Sequence, residues 1–231
     1  MKLKDMFCFI FVIVLFTFFI IHDTRGVYET AYHFSPELVS FIKFAILATF
    51  GEMAGSRIKT GRYLPSGFGL IPRALVWGVL GTTMSLAFRI FSGGVGSFGV
   101  FQETAGIPMT VLRAFSISFM MNIFFAPIMM LTHKITDQHI TDEEGGFSFK
   151  RFNIADILKR LDWELFWKFL MKKTIPLFWI PAHTVTFLLP TEFRTLFAAL
   201  LSIFLGLFLS ISGSQKKGAA KKDNVIIERS A

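Results

Sequence analysis

Six polar or charged side chains lie inside segments of the chain that are otherwise apolar. Such groups are costly in hydrocarbon, so they turn toward one another or toward a wet interior. They are Lys43, Glu52, Arg113, Ser118, Asn122 and His183. Two roles fit them: hydrogen bonds that hold helices together, or the lining of a path for a small solute or ion. Glu52 and Arg113 have opposite charges, which favours a pair between them.

A second polar group follows the fourth apolar segment, in a stretch interpreted as a loop. It contains His133, Asp137, His139, Asp142, Glu143 and Glu144. A solvated acidic turn is the favoured interpretation, and the alternatives are a weak metal site or the surface site of a lipid-modifying enzyme. No HExxH, GxSxG or paired-cysteine motif occurs, and no combination of nucleophile and base is recognisable. We therefore expect no catalytic residue, no metal and no cofactor, in a protein that is not an enzyme.

The elements that must position these side chains are apolar segments. The chain of 231 residues is 53% apolar and 16% aromatic but only 17% charged, whereas soluble domains are about 25% charged. The apolar segments cover residues 6–21, 36–57, 74–91, 108–131, 175–189 and 195–212. Most approach the roughly 20 residues that a helix needs to cross a bilayer. The predicted fold is therefore an all-α, polytopic membrane helix bundle with about six apolar helices.

The first apolar segment, residues 6–21, follows Lys2 and Lys4. An uncleaved signal anchor is favoured over a cleaved signal peptide, because no small-x-small cleavage site follows it. The chain is accordingly divided into an anchor and connector at 1–35, the helix bundle at 36–213 and a basic, disordered tail at 214–231.

The connections carry signals of their own. Residues 22–35 are predicted to be a polar connector, and Ser35 and Pro36 then suit the cap and first turn of a helix. Residues 92–106 are predicted to form a glycine-rich turn, and Pro127 is predicted to kink the fourth helix. Residues 154–173 carry apolar side chains at helical spacing among basic ones. This pattern predicts one amphipathic helix on the membrane surface, with packing on a soluble face as the alternative.

Basic residues are distributed unequally between the two sides of the predicted bundle. If all six segments span, 19 of the 24 Lys and Arg residues fall on the side that holds both termini. The positive-inside rule then places both termini on the cytoplasmic side. The net charge of +8 is explained by basic loops beside anionic lipid, so no nucleic-acid partner is expected. Membrane lipids, a further copy of the chain and a small solute or ion are the expected partners.

A pattern of aromatic and proline residues marks the carboxyl-terminal hairpin. Its members are Trp179, Pro181, Phe187, Pro190 and Arg194. Together with their surroundings at 160–212, they resemble the Mpv-seventeen family of peroxisomal and mitochondrial membrane proteins, whose other named branch is the twenty-two kilodalton peroxisomal membrane protein. Thr186 stands where that family usually has Asn. The resemblance implies a distant, polytopic member, and some members are thought to form weakly selective channels or to affect metabolite balance.

The leading hypothesis is an integral membrane protein that is channel-like or provides a small-solute pathway. The first alternative is a membrane scaffold or assembly factor, because small residues recur every four positions at 110, 114, 118, 122 and 126 and can bind partner helices. The lipid-handling enzyme is the second. A bacterial cytoplasmic membrane is the favoured location, since no Arg-rich, Ser-rich transit peptide is visible, and the mitochondrial inner membrane or the peroxisomal membrane is the alternative.

Overall fold

A computed structural model describes residues 22–98, 106–201 and 203–204. Most of its described residues are helical, and none of them lies in a strand. The first five helices are α1 (His22–Phe34), α2 (Pro36–Thr60), α3 (Leu70–Gly96), α4 (Gly106–Phe124) and α5 (Ala126–Asp142). They are followed by α6 (Ile154–Arg160), α7 (Trp163–Leu165), a π-helix (Phe166–Trp179) and α8 (Ile180–Leu188). Residues 191–201 are also helical.

Among the described residues, three helices, α2, α3 and α4, are long and apolar enough to cross a membrane. The predicted first span, residues 6–21, lies outside the described residues, and so does part of 195–212. The predicted span at 175–189 is divided between the π-helix and α8, each of which is shorter than the roughly 17 residues that a span requires. The all-helical class and a membrane protein are thus supported, whereas six spans are not confirmed.

Helices α2 and α3 form an antiparallel hairpin. The predicted cap is confirmed at the start of α2, where the Ser35 hydroxyl accepts the amide hydrogen of Leu38 at 3.3 Å. The helix ends at Gly61, which has a φ of 77° and donates its amide hydrogen to Arg57. The two helices touch at glycines: a Cβ on Gly81 would lie 2.5 Å from Phe44 Cβ and 2.6 Å from the Ser40 carbonyl oxygen. Only glycine permits this approach.

The core lies between α2, α3, α4, α8 and the helix at 191–201. Its buried side chains are Phe44, Leu47, Ala48, Met84, Phe88, Val95, Ala114, Ile117, Met121, Phe187, Leu196, Ala198 and Ala199. Large apolar side chains also cover the outer faces of the three candidate spans, including Ile42, Ile46, Leu75, Val79, Phe115 and Phe119. Polar side chains such as Ser40, Ser118 and Asn122 are instead fully buried. An apolar exterior around a partly polar interior is what lipid as the solvent demands.

Four predicted connections differ from the structure. The expected connector at 22–35 contains helix α1, whose Tyr28 and Tyr32 are buried one turn apart. The expected glycine turn begins late, because α3 continues to Gly96. The helix is interrupted at Phe125, two residues before the predicted kink at Pro127, and the chain is then helical from Ala126 to Asp142, where a loop was predicted.

The predicted single amphipathic helix at 154–173 is also wrong. It breaks at Leu161, which has extended backbone angles (φ −68°, ψ 141°). Asp162 then caps a new start by accepting the Leu165 amide hydrogen at 2.8 Å. From Phe166 the chain is π-helical, and the Thr174 hydroxyl donates to the Phe169 carbonyl five residues earlier at 3.1 Å.

Candidate functional site

A cavity of about 520 Å³ opens at one end of the bundle. It lies within the range of roughly 300–1,000 Å³ that is typical of small-molecule sites. Helix α2 lines it from Ala48 to Thr60, a distance of about 18 Å along the helix axis. Its outer end reaches the exposed residues Lys59 and Thr60, and its deep end reaches the buried Asn122 and His183. The cavity therefore joins the surface of the bundle to its polar centre.

The carboxylate of Glu52 is the centre of a polar network in this cavity. Arg73 Nη1 donates to it at 2.9 Å, Trp77 Nε1 at 3.0 Å, and His133 Nε2 lies 3.0 Å from it. Arg73 also forms an ion pair with Asp137. The Glu52 and Arg73 side chains are only 20% and 12% exposed, so both charges lose hydration. Their ion pair offsets part of this desolvation cost.

Helical spacing explains why these groups meet. Arg73 and Trp77 lie four residues apart on α3, and His133 and Asp137 lie four apart on α5. Residues at this spacing share one helix face, so each helix presents two side chains to the same carboxylate network. The ring of His133 packs against Trp77 with 4.3 Å between their centroids. This contact holds Trp77 Nε1 and His133 Nε2 toward Glu52.

The deep end of the cavity contains a chain of hydrogen bonds. The Ser118 hydroxyl donates to the Ile180 carbonyl at 2.7 Å and ties α4 to α8. Asn122 Nδ2 donates to the Ser118 carbonyl at 2.8 Å and lies 3.1 Å from His183 Nδ1. Since an amide nitrogen can only donate, His183 Nδ1 is the acceptor and its ring hydrogen sits on Nε2.

Three buried polar atoms at this end have no hydrogen-bond partner among the described residues. They are Asn122 Oδ1, His183 Nε2 and Trp179 Nε1, and all three residues line the cavity. His183 lies between the other two, because its ring also packs on Trp179 at a centroid distance of 5.1 Å. A buried polar group without a partner costs about 1–3 kcal/mol, so these atoms make the deep end less stable than a fully hydrogen-bonded one would be.

A second cavity of about 240 Å³ lies farther along α3. It is lined by Tyr32, Ser85, Phe88, Arg89, Ser92, Thr191, Arg194 and Thr195. The first cavity ends on α3 at Met84 and the second begins at Ser85. Between them stands Phe88, which meets the His183 ring edge-on at 5.8 Å and packs on Phe187 at 5.0 Å. The two cavities together follow α3 from Arg73 to Ser92, about 28 Å, which is close to the hydrocarbon thickness of a bilayer.

The structure divides the predicted set of intramembrane polar residues. Glu52, Asn122 and His183 line one cavity, and Ser118 lies directly behind Asn122. Lys43 and Arg113 lie outside it. Glu52 pairs with Arg73 and not with Arg113, whose guanidinium lies beside Gly96 at the far end of α3.

Lys43 has surroundings of a different kind. Its ammonium donates to the Tyr28 hydroxyl at 2.9 Å and the Thr195 hydroxyl at 2.5 Å, and it lies 5.4 Å from the centre of the Tyr32 ring. No carboxylate forms an ion pair with it within residues 22–98, 106–201 and 203–204. Burial raises the pKa of both tyrosines, which keeps their hydroxyls neutral and able to accept.

The acidic cluster after the fourth segment is part of the scaffold. It does not form a loop as predicted, because His133, Asp137, His139 and Asp142 lie on α5. The buried His139 accepts the Ser148 amide hydrogen at 3.2 Å. Hydrogen bonds from Arg160 lower the pKa of Asp142, and those from Arg151 lower the pKa of Glu143. No group of metal-ligating side chains occurs in the described part of the chain.

The residues of the carboxyl-terminal pattern have separate structural roles. Trp179 lines the cavity, Pro181 lies in the first turn of α8, and Phe187 is in the core. Arg194 donates to the Leu189 carbonyl at 3.0 Å and the Phe187 carbonyl at 3.3 Å, and thereby caps the end of α8. Pro190 follows that end directly.

The sequence interpretation missed Arg73, Trp77, His133, Asp137 and Trp179 as cavity residues. The available signal was the four-residue spacing between Arg73 and Trp77 and between His133 and Asp137. Comparison of the chain with protein-family models, with curated proteins and with solved structures finds no match.

Proposed function

We propose that this chain is an integral membrane protein that provides a pathway for a small solute. The observation that supports this most directly is the pair of cavities that follow one another along α3, with Phe88 between them. The larger one brings Glu52, Asn122 and His183 together. Charged and amide side chains are rarely placed at such depth without a function.

The basic residues at the outer end of the cavity give the proposed pathway an orientation. Lys59, Arg73 and Lys134 line it, and the stretches that contain them carry much of the positive charge of the chain. Under the positive-inside rule this end faces the cytoplasm. We propose a bacterial cytoplasmic membrane as the location, with an organellar membrane as the alternative. Kinship of residues 160–212 with the Mpv-seventeen family stays a prediction.

The proposal assigns a barrier to Phe88. Its ring separates the two cavities, and Phe187 and His183 support it from one side. Replacing this ring with a methyl group in Phe88→Ala would join the cavities, since a Phe-to-Ala change in a core leaves an unfilled volume. Transport through the protein would then become faster and less selective.

Flux through liposomes tests the proposal. The purified chain should release trapped small solutes, Phe88→Ala should increase release several-fold, and Glu52→Gln should change the preference between anions and cations. Phe119→Ala is the matched control, because Phe119 is on the outer face of α4 and is 43% exposed. Liposomes that stay tight with both the wild type and Phe88→Ala would contradict the pathway. Stable co-purification of a partner protein would then favour the scaffold alternative.

A further inference from the structure

We propose that the solutes of this pathway are small anions, because both cavities that form it carry an excess of positive charge. The inference rests on the proposed function for passage across the membrane. The preference of the larger cavity for anions does not need that passage, and it can be measured on the protein in detergent.

The carboxylates of the larger cavity are those of Glu52 and Asp137. Both contact one guanidinium: Arg73 Nη1 lies 2.9 Å from a Glu52 oxygen and also forms an ion pair with Asp137. Glu52 accepts a further hydrogen bond from Trp77 Nε1 at 3.0 Å. Because one guanidinium serves two carboxylates, this group keeps a single net negative charge, and its acidic oxygens are already engaged by donors of the protein.

Two lysines on the walls outweigh that charge. Lys59 on α2 and Lys134 on α5 line the same cavity, and within residues 22–98, 106–201 and 203–204 no carboxylate forms an ion pair with either. Lys59 is exposed and Lys134 is half-buried, so an incoming ion can approach both. The lining thus contains three cations and two carboxylates, and protonation of its histidines would only add to the positive excess.

The smaller cavity has the same sign. Arg89 and Arg194 line it, and no carboxylate of the described residues does. Arg89 forms an ion pair with Glu37. Arg194 donates instead to two uncharged acceptors, the carbonyls of Leu189 and Phe187, so its positive charge is kept in full. Both cavities are therefore positive.

This distribution of charge favours anions over cations. Clefts lined by one sign of charge concentrate ions of the opposite sign, and pores that select anions are lined by Arg and Lys. A cation would be repelled by Lys59 and Lys134 in one cavity and by Arg194 in the other. A small anion is attracted in both cavities, so the pathway should select for negative charge.

Quenching of tryptophan fluorescence measures this preference in the larger cavity. Of the four tryptophans in the chain, Trp77 and Trp179 line the cavity, whereas Trp163 and Trp167 do not and are 38% and 56% exposed. The double variant Trp163→Phe/Trp167→Phe therefore reports from the cavity alone. In an uncharged detergent at constant ionic strength, iodide and caesium are compared as quenchers. The iodide-to-caesium ratio of quenching constants should be at least about twofold higher than for free N-acetyltryptophanamide, as one excess unit charge within about 8 Å would produce.

Lys59→Gln combined with Lys134→Gln in this background should bring the ratio below that of free N-acetyltryptophanamide, because one cation then faces two carboxylates. The matched control is Lys150→Gln with Lys172→Gln, which removes the same charge from exposed residues outside the cavity lining and should leave the ratio unchanged. The neutral quencher acrylamide should act equally on all variants, which checks that the cavity is intact. Preferential quenching by caesium before the lysines are replaced, or an equal fall in ratio with both lysine pairs, would overturn the inference.

The anion preference and the pathway fail in different experiments. Preferential quenching by iodide together with electrically silent bilayers would contradict the pathway and leave the anion preference of the cavity in place. Bilayers that conduct cations in a potassium chloride gradient, together with preferential quenching by caesium, would overturn the anion preference and leave the pathway.

Discussion

Lys43 and Glu52 lie on the same helix, nine residues or about 13.5 Å apart, yet their charges are accommodated in opposite ways. Glu52 is matched by Arg73 and accepts further hydrogen bonds from its cavity neighbours. Lys43 is buried with hydroxyl groups and aromatic rings around it. The larger cavity borders Glu52 and not Lys43, and it collects the candidate functional residues.

The difference separates two uses of a buried charge. At the Glu52 end, opposite charges compensate one another, so a polar cavity can be kept open. At the Lys43 end, the long side chain fills space between α1, α2 and the helix at 191–201, as lysine side chains do with their apolar stems. Charge at membrane depth is therefore not by itself a sign of a solute path. Whether the charge is compensated and whether it borders a cavity decide the interpretation.

Removing the carboxylate at the compensated end should have the largest effect. Glu52→Ala leaves the buried donors of Arg73, Trp77 and His133 without that acceptor, and should lower the free energy of unfolding by about 3 kcal/mol. Thermal and denaturant unfolding in detergent measure it. Glu164→Ala is the control, because Glu164 pairs with Lys168 at 2.6 Å on the exposed surface, where such pairs contribute about 0–1 kcal/mol. If the two variants are equally stable, the Glu52 carboxylate does not compensate buried charge, and the contrast between Glu52 and Lys43 is wrong.

Packing near Lys43 gives the next largest effect. Gly81→Ala would place a methyl group 2.5 Å from Phe44 Cβ and 2.6 Å from the Ser40 carbonyl, and overpacking of this kind costs about 1–3 kcal/mol. Gly94→Ala, on the same helix with no atom within 4 Å of the new methyl group, should instead raise stability by up to about 1 kcal/mol. If both alanines stabilise the protein, α2 and α3 are not in close contact at Gly81.

Replacing the uncompensated cation should act in the opposite direction to Glu52→Ala. Lys43→Met keeps most of the side-chain volume and removes a buried charge, so stability should rise by about 1 kcal/mol. The former partners are not left alone, because the Tyr28 hydroxyl still donates to the Glu192 carbonyl and Thr195 still bonds to Ser40. The midpoint of thermal unfolding in detergent measures the change. A loss of more than about 2 kcal/mol would mean that Lys43 is compensated after all.

The smallest effect is expected at the exposed ion pair beyond the cavity. Arg160 lowers the pKa of Asp142 in the folded protein, so the pair stabilises the fold above the unfolded pKa of about 3.9. This stabilisation disappears as the pH falls through the lower folded pKa. Because the pair lies at the protein surface, where ion pairs contribute little to stability, the effect should be the smallest of the four.

The test compares the change in unfolding midpoint between pH 6 and pH 3 in the wild type and in Asp142→Asn. The wild type should lose slightly more stability than the variant, and the gap should close in 1 M salt, where the Debye length is about 3 Å. A gap that widens in salt would show that something other than this ion pair titrates.

The sequence allowed the interior position of Glu52, Asn122 and His183 to be predicted, because each is costly in lipid. It also contained a means to reject the pair between Glu52 and Arg113. Glu52 is 16 residues from the start of α2, and Arg113 is seven residues from the start of α4. If both helices start at the same membrane face, these positions differ in depth by about 14 Å, which no side-chain pair can bridge.

Other features were not open to prediction in this way. The hydrophobic pattern at 154–173 was interpreted with a period of 3.6 residues, whereas residues from Phe166 onward follow the wider π-helical turn. Long π-helices are rare, so a period search has no reason to test for one. For α1, polarity concealed a helix whose buried side chains, among residues 26–34, are those of Tyr28 and Tyr32. Packing at glycines such as Gly81 decides which helices are neighbours. The sequence around such a glycine does not show which helix it will contact.

The contact at Gly78 and Gly81 has a mechanical consequence. With the Phe41 and Phe44 rings seated directly against the backbone of α3, neither α2 nor α3 can slide or rotate past the other without a collision. The hairpin must therefore move as one rigid body. Any rearrangement that widens the passage beside Phe88 has to come from the opposite wall, where α8 is joined to α4 through the Ser118–Ile180 and Asn122–His183 hydrogen bonds, and the hinge belongs on that side.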